Sequence, residues 1–166
     1  MAMFAPLLGA PVRAWRVDVD TRKGSWDSGI GAQTVGGRWN PKGVKAVYCA
    51  LDAATAILEV AVHKGFRTLD TVPHVLTALE IDDPSSIFVV TPAAVPNPVW
   101  LQAGTPSAGQ QAFGASLLAQ YPFVAIPSVV SHHSWNLLIE PGLAAGKYRE
   151  LLQERLRIDT RLNPPP

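Results

Sequence analysis

Between Gly36 and Glu59 the sequence reads GGRWNPKGVKAVYCALDAATAILE, and it carries three side chains able to do chemistry. Arg38 follows a Gly-Gly pair, Tyr48 lies in a short apolar run, and Glu59 stands in a helix-forming segment. A guanidinium is a planar fork that grips phosphate or carboxylate through paired N–H donors. A phenol adds a flat wall and one hydrogen-bonding oxygen. From Ala53 to Val62, Glu59 is the only charged side chain. On a helix, Thr55, Ala56, Val62 and His63 lie beside it. A helix with so little polar surface is expected to be buried, and Glu59 with it. A buried carboxylate is costly unless it is paired or put to chemical use. Two readings stand side by side: a structural ion pair between Arg38 and Glu59, or an acid in a site for an anionic small molecule.

The elements that must position these groups follow from local pattern. Asp52 is a natural N-cap and Gly65 a natural residue past the end, so a helix is expected over 53–64. The apolar run Lys45 to Ala50 reads as a strand that carries Tyr48. Val12 to Val19 alternates apolar and polar residues and reads as a strand holding Trp15 and Arg16. Period alone does not fix which way Arg16 faces. Asp20 to Val35 is rich in Gly, Ser and Asp and reads as a mobile loop, with Trp26 a packing anchor or part of a lid. Further on, strands are expected at Val72 to Ile81, Ile87 to Val90, Pro122 to Val130 and Trp135 to Glu140. The run at 82–84 is a turn, 91–98 a loop, and Pro106 to Gln120 a helix. Pro127-Ser128 interrupts its strand, which makes it an edge, a bulge or a strand end. Lys147 to Leu156 reads as helical, and Arg157 to Leu162 as a last strand. The class that results is α+β, a mixed sheet with short flanking helices.

Bulk composition narrows the function. A chain of 166 residues defaults to one compact domain, here 1–166, with a core over about 13–162, a loose arm at 1–11 and a Pro-rich tail at 163–166. Charged residues are 16%, below the usual share of about 25%, so part of the surface is expected to be covered by a partner. A net charge of +1 gives no basic footprint for nucleic acid. One cysteine excludes an internal disulfide and fits a reducing cytosol, so a cytoplasmic location is expected. Cys49 itself reads as inert core. No run nears the ~18 apolar residues of a membrane span, and the mildly apolar N-terminal stretch, without basic residues before it, is not expected to act as a signal peptide. GxGxxG and P-loop motifs are absent. His132 and His133 are adjacent, poor geometry for two ligands, so no metal site is expected. Ser128 lacks a G-x-S-x-G elbow, though its hydroxyl could still bind a ligand.

In order and context, these pieces resemble the RES-domain family, toxins of bacterial toxin–antitoxin pairs whose partners are Xre-like antitoxins. The Arg, Glu and Ser that name the family match Arg38 in GGRWNPKG, Glu59 in AATAILE and Ser128 in IPS. Tyr48, the opening Trp15-Arg16 pair, the stretch Asn136 to Pro141 and the closing Asp159 to Leu162 match as well. Glu140-Pro141 departs from the family's frequent Asn-Pro at that point.

The resemblance implies a fold like that of the diphtheria-toxin type of ADP-ribosyltransferase. It implies that NAD+ is a consumed substrate rather than a cofactor. The nicotinamide–ribose bond would be broken by hydrolysis or phosphorolysis, which depletes NAD+, or the ADP-ribose would pass to a protein side chain. Glu59 would stabilise the oxocarbenium-like state or activate the acceptor. Arg38 and Arg16 would hold the phosphates, Tyr48 would wall the nicotinamide, and Ser128 and Asn136 would bind the substrate, with Arg38 and Ser128 counted among the catalytic set. The expected partners are NAD+ and a cognate antitoxin that covers the active site; nucleic acid would be reached only through that antitoxin, and a homodimer stays open. A non-enzymatic module with a structural Arg38–Glu59 pair is the contrasting alternative, and an RNA-cleaving toxin is disfavoured by the charge.

Overall fold

The computed structural model describes residues 5–166. Of the arm expected over 1–11, residues 1–4 therefore lie outside the described residues. Seven strands form one sheet: β1 Val12–Val19, β2 Val47–Ala50, β3 His74–Ile81, β4 Ile87–Val89, β5 Phe123–Pro127, β6 Trp135–Ile139 and β7 Tyr148–Arg155. Their order is β4-β5-β6-β2-β1-β3-β7. Only the β4–β5 pairing is parallel, so the sheet is mixed, as the α+β class requires.

Side chains alternate across the sheet. On β5, Phe123 and Ala125 join Val47, Leu79, Leu137 and Ile139 on one face. Val124 and Ile126 join Leu138, Leu118 and Trp39 on the other. That second face is covered by α4 (Ala108–Leu118) at one end and by α2 (Ala53–Lys64) and α3 (Phe66–Thr71) at the other. All eight positions of β3 are buried, which fits an inner strand covered on both faces.

Helix α2 starts and stops where its caps place it. Asp52 accepts from the Thr55 N–H at 2.7 Å and from the Thr55 hydroxyl at 2.7 Å, and Gly65 ends the helix with φ +80°. The helix is only partly buried, contrary to the expectation. Thr55, Ala56 and Ala61 face the sheet, but Val62 is 60% exposed. Its uncharged outer face is apolar surface left open to solvent.

Three segments differ from the sequence reading. Residues 148–155 form edge strand β7 and not a helix. Glu, Leu, Gln and Arg are good helix formers, yet propensity is a weak prior beside tertiary pairing. Here β3 offers a full ladder: Arg149 pairs with buried Glu80, and Gln153 donates to the Thr77 hydroxyl. Residues 157–162 are irregular with one 3-10 turn, Thr160–Leu162, capped by Asp159, and they form no strand. The stretch 20–35 is not a loop. It holds a 3-10 turn, Asp20–Ser25, and helix α1, Ile30–Val35. Trp26 anchors it: the indole is 5% exposed and its N–H donates to Glu150 at 2.8 Å. Pro127 marks a strand end, on interior strand β5, opposite Trp135. Glu140 caps the short helix α5, Pro141–Ala144, by accepting from the Leu143 N–H at 2.6 Å.

Gly114 of α4 lets that helix rest on the Arg38 segment. A Cβ there would sit 1.9 Å from the Trp39 carbonyl oxygen, which is backbone and has no room to yield. Gly114→Ala is expected to lower stability by about 3 kcal/mol, read as a shifted urea midpoint with unchanged slope.

Candidate active site

Strand β1 pairs with β3 along its whole length, and β2 with β6 along its whole length. Between β1 and β2 the ladder shrinks to a single pair, Trp15 and Ala50. The sheet is therefore open along this seam, and the Arg16 side chain bridges it. Its Nη1 donates to the Tyr48 carbonyl at 2.9 Å, and its Nη2 to buried Asp18 at 2.8 Å. A cavity of about 520 Å³ lies at the seam, walled by Trp15, Arg16, Arg38, Tyr48, Glu59 and Asn136 among others. That volume suits a small-molecule site.

Glu59 reaches the cavity from α2 and is held in place by one residue of β6 and one just past the end of β5. Its Oε1 accepts from the Ser128 hydroxyl at 2.8 Å and from Asn136 Nδ2 at 2.6 Å. Ser128 sits just past the end of β5, 7% exposed. Its oxygen also accepts from the N–H groups of Val130 and Ser131, at 3.2 and 3.0 Å. A hydroxyl has one proton and two lone pairs. All three are committed, so Ser128 holds the acid and has no donor left for a substrate. Asn136 differs: its Oδ1 is buried and has no partner within the described chain. A ligand N–H would satisfy that oxygen.

Arg38 is presented by a tightly tied loop. Gly37 packs so close to Tyr48 that a Cβ would lie 2.5 Å from the phenolic oxygen. The Trp39 N–H donates to that oxygen at 3.0 Å, and the Tyr48 hydroxyl donates to Asn40 Oδ1 at 2.7 Å. Asn40 is fully buried, and its Nδ2 donates to the carbonyls of Ala32 and Val44, both at 2.9 Å. Gln111 of α4 adds a bond to the Gly37 carbonyl at 2.9 Å. Burial pushes the Tyr48 phenol well above the ordinary tyrosine range, so it stays neutral and tethered, its ring a cavity wall. Asn40→Ala would remove the acceptor of the buried Tyr48 hydroxyl and the amide donor shared by the Ala32, Pro41 and Val44 carbonyls. The expected loss is about 2–4 kcal/mol, checked by thermal melting, with weakened ligand binding at the displaced Arg38.

The Arg38 guanidinium donates to the carbonyls of Gln102 and Gly104 at 3.3 and 3.2 Å. Among the described residues it makes no ion pair with Glu59. The structural Arg38–Glu59 pair weighed above is thus not formed, although both side chains line the same cavity. The acid's partners are a serine and an amide instead.

Asn40 and Gln111 went unnoticed in the sequence. Asn40 precedes Pro41 in NPKG and reads there only as a turn residue. Nothing local marks Gln111, since its partner is 74 positions away. Burial pushes the Cys49 thiol up to about 12, so it stays protonated beneath the site. Among the described residues, no group of three or more His, Cys, Asp or Glu is placed to hold a metal ion.

The fold is α+β, with a hydrogen-bonded carboxylate and two arginines lining a cavity at an open seam. More particularly, the chain belongs to the RES domain family, whose model matches residues 13–159. It is 33% identical over 152 residues to the Prs ADP-ribosylating toxin of Sphingobium sp. (strain YBL2), spanning 84% of this chain and 92% of that one. It is also 33% identical over 117 residues to Toxin Res of Yersinia enterocolitica, spanning 69% and 74%. Among solved structures it resembles a chain of the M. tuberculosis MbcT-MbcA toxin-antitoxin complex, with a TM-score of 0.71 at 19% identity over 93% of this chain and 86% of that one. That likeness shows a shared fold.

Proposed function

We propose that this chain is the toxin of a toxin–antitoxin pair and breaks the nicotinamide–ribose bond of NAD+. The carrying observation is the clamp on Glu59. Serine and amide donate to one carboxylate oxygen, which leaves the second free at a cavity that also holds Arg16 and Arg38. When the N-glycosidic bond breaks, its electron pair leaves with nicotinamide, and positive charge spreads over C1′ and the ring oxygen. A fixed carboxylate beside that carbon stabilises the charge with little reorganisation. The acceptor's lone pair then bonds to C1′, and its proton passes to Glu59 or to solvent. The buried Asn136 Oδ1 suits the carboxamide N–H of nicotinamide, and the arginines suit the diphosphate.

Incubating the purified chain with NAD+, with and without inorganic phosphate, and separating the products tests this. Free nicotinamide with ADP-ribose, or with its 1-phosphate, supports the proposal. Intact NAD+ beside a folded protein rules it out.

A second acceptor is favoured by the printed name of the Sphingobium relative: a protein side chain. A labelled band after incubation with labelled NAD+ and lysate would identify transfer. An antitoxin partner is supported by the complex in which the structural neighbour was solved and by exposed apolar residues at the walls of this cavity and of one adjoining it: Ile30 is 55% exposed and Val35 69%. An Xre-like protein covering this rim would bury them and close the site. No helix among the described residues is long and apolar enough to cross a membrane, and we place the action in the cytoplasm, where NAD+ is abundant.

A further inference from the structure

Strand β7 forms one edge of the sheet, and among the described residues its outer side has no partner strand. Most of its residues are exposed, including Leu151 at 40% and Leu152 at 39% in its middle. None of them lines the cavity at the seam or the one adjoining it. An open edge of this length is a template for a further strand.

The strand is complementary to itself. Set antiparallel to a copy about an axis between Leu151 and Leu152, it places Arg149 opposite Glu154, Glu150 opposite Gln153, and the two leucines opposite each other. In a regular strand this arrangement fails. Facing residues share a side of the sheet, and residues an odd number apart do not. A bulge removes the difficulty. The β3–β7 ladder slips by one between Ala78 and Leu79, so Glu80 pairs with Arg149 and Leu76 with Glu154. Residues 76 and 80 point to the same side, and so therefore do 149 and 154. Leu79 and Thr77 likewise place Glu150 and Gln153 together on the other side. Charges and bulges commonly keep an edge from pairing at random. Here they favour one register. A slip by one residue breaks the match of sides, and in one direction it sets Arg149 against Arg155 and Glu150 against Glu154, which repel.

The charges on this row are also incompletely met within one chain. Arg13 and Arg149 share the single carboxylate of Glu80, which is 6% exposed. Arg149 commits one nitrogen, Nη2, to that carboxylate, and its side chain is 63% exposed. A guanidinium carries five N–H donors, so most remain to be used. Glu154 has no hydrogen bond or ion pair among the described residues.

We propose that β7 is a self-association edge, through which two copies of this chain join antiparallel about a twofold axis between Leu151 and Leu152. The two sheets run on into one, the leucines meet at the centre, and an Arg149–Glu154 pair forms on either side of it. Strands β3 and β1 separate this edge from the seam, so both clefts stay open.

Sedimentation of the purified full chain from about 1 µM to about 1 mM, the range of modest affinities, tests this. A reversible monomer–dimer equilibrium is expected. Glu154→Arg sets like charges together at both pairs and breaks no bond within the chain. It is expected to raise the dissociation constant at least tenfold, by a rough count, with thermal melting unchanged. Leu151→Lys, which brings a lysine from each copy to the centre, serves if that variant does not fold. A chain that stays monomeric throughout overturns the proposal. So does a dimer that the folded variant leaves intact, which would place the contact on another surface.

Discussion

Glu59→Gln is expected to lose turnover about 10³-fold while keeping its fold and its affinity for NAD+. The substitution keeps the shape and removes the charge. Oε1 still accepts from Ser128 and Asn136 at positions set by β5 and β6, so the side chain has reason to stay in place. What disappears is the negative charge of a carboxylate that lines the cavity. A carboxamide cannot stabilise a developing cation as an anion does, nor take a proton from the acceptor. Steady-state kinetics should show a collapse of kcat with KM nearly unchanged. A variant that destroys NAD+ at the unaltered rate would remove Glu59 from the chemistry.

Ser128→Ala carries the second large effect, and its form separates two roles. A serine that touched substrate would show its loss mainly in KM. A serine that positions Glu59 should show it in kcat, by about 10²-fold, because small misplacements of a reacting group are costly. The hydroxyl also satisfies the Val130 and Ser131 N–H groups, so its removal should cost about 1–3 kcal/mol of stability. Ser128→Thr keeps the hydroxyl and is expected to recover part of kcat. A KM-only effect with full recovery at saturating NAD+ would return Ser128 to the substrate.

The helix that carries Glu59 was legible because its signals are local: Asp52 caps it, Gly65 ends it, and one acid stands in an apolar run. The seam was not legible. It depends on β1 pairing with β3 rather than β2, and no residue of Val12 to Val19 encodes that choice on its own. For the same reason the direction of Arg16 stayed open until the Tyr48 carbonyl appeared beside it. The Ser128–Glu59 contact joins residues 69 positions apart, beyond the reach of any window. Strand β7 misled because its composition favours a helix while the exposed edge of β3 demands a strand. The stretch 20–35 misled in the opposite sense. Glycines and serines suggested a loop, whereas Trp26 and the Tyr148–Asp27 hydrogen bond fasten it to β7.

The apolar rim bears on regulation through the same geometry. Val35 lines both the cavity at the seam and the one adjoining it, and Ile30 the latter, so a partner that buries them would also stand over the site. Inhibition and partner binding would then be one event, with no conformational change required.

A crystal of Glu59→Gln soaked with NAD+ is the most direct measurement. It should show the nicotinamide riboside in the seam between β1 and β2, with C1′ beside residue 59 and the carboxamide against Asn136. Dinucleotide bound on any other surface, or a seam that stays empty at saturating NAD+, would contradict the placement of the site.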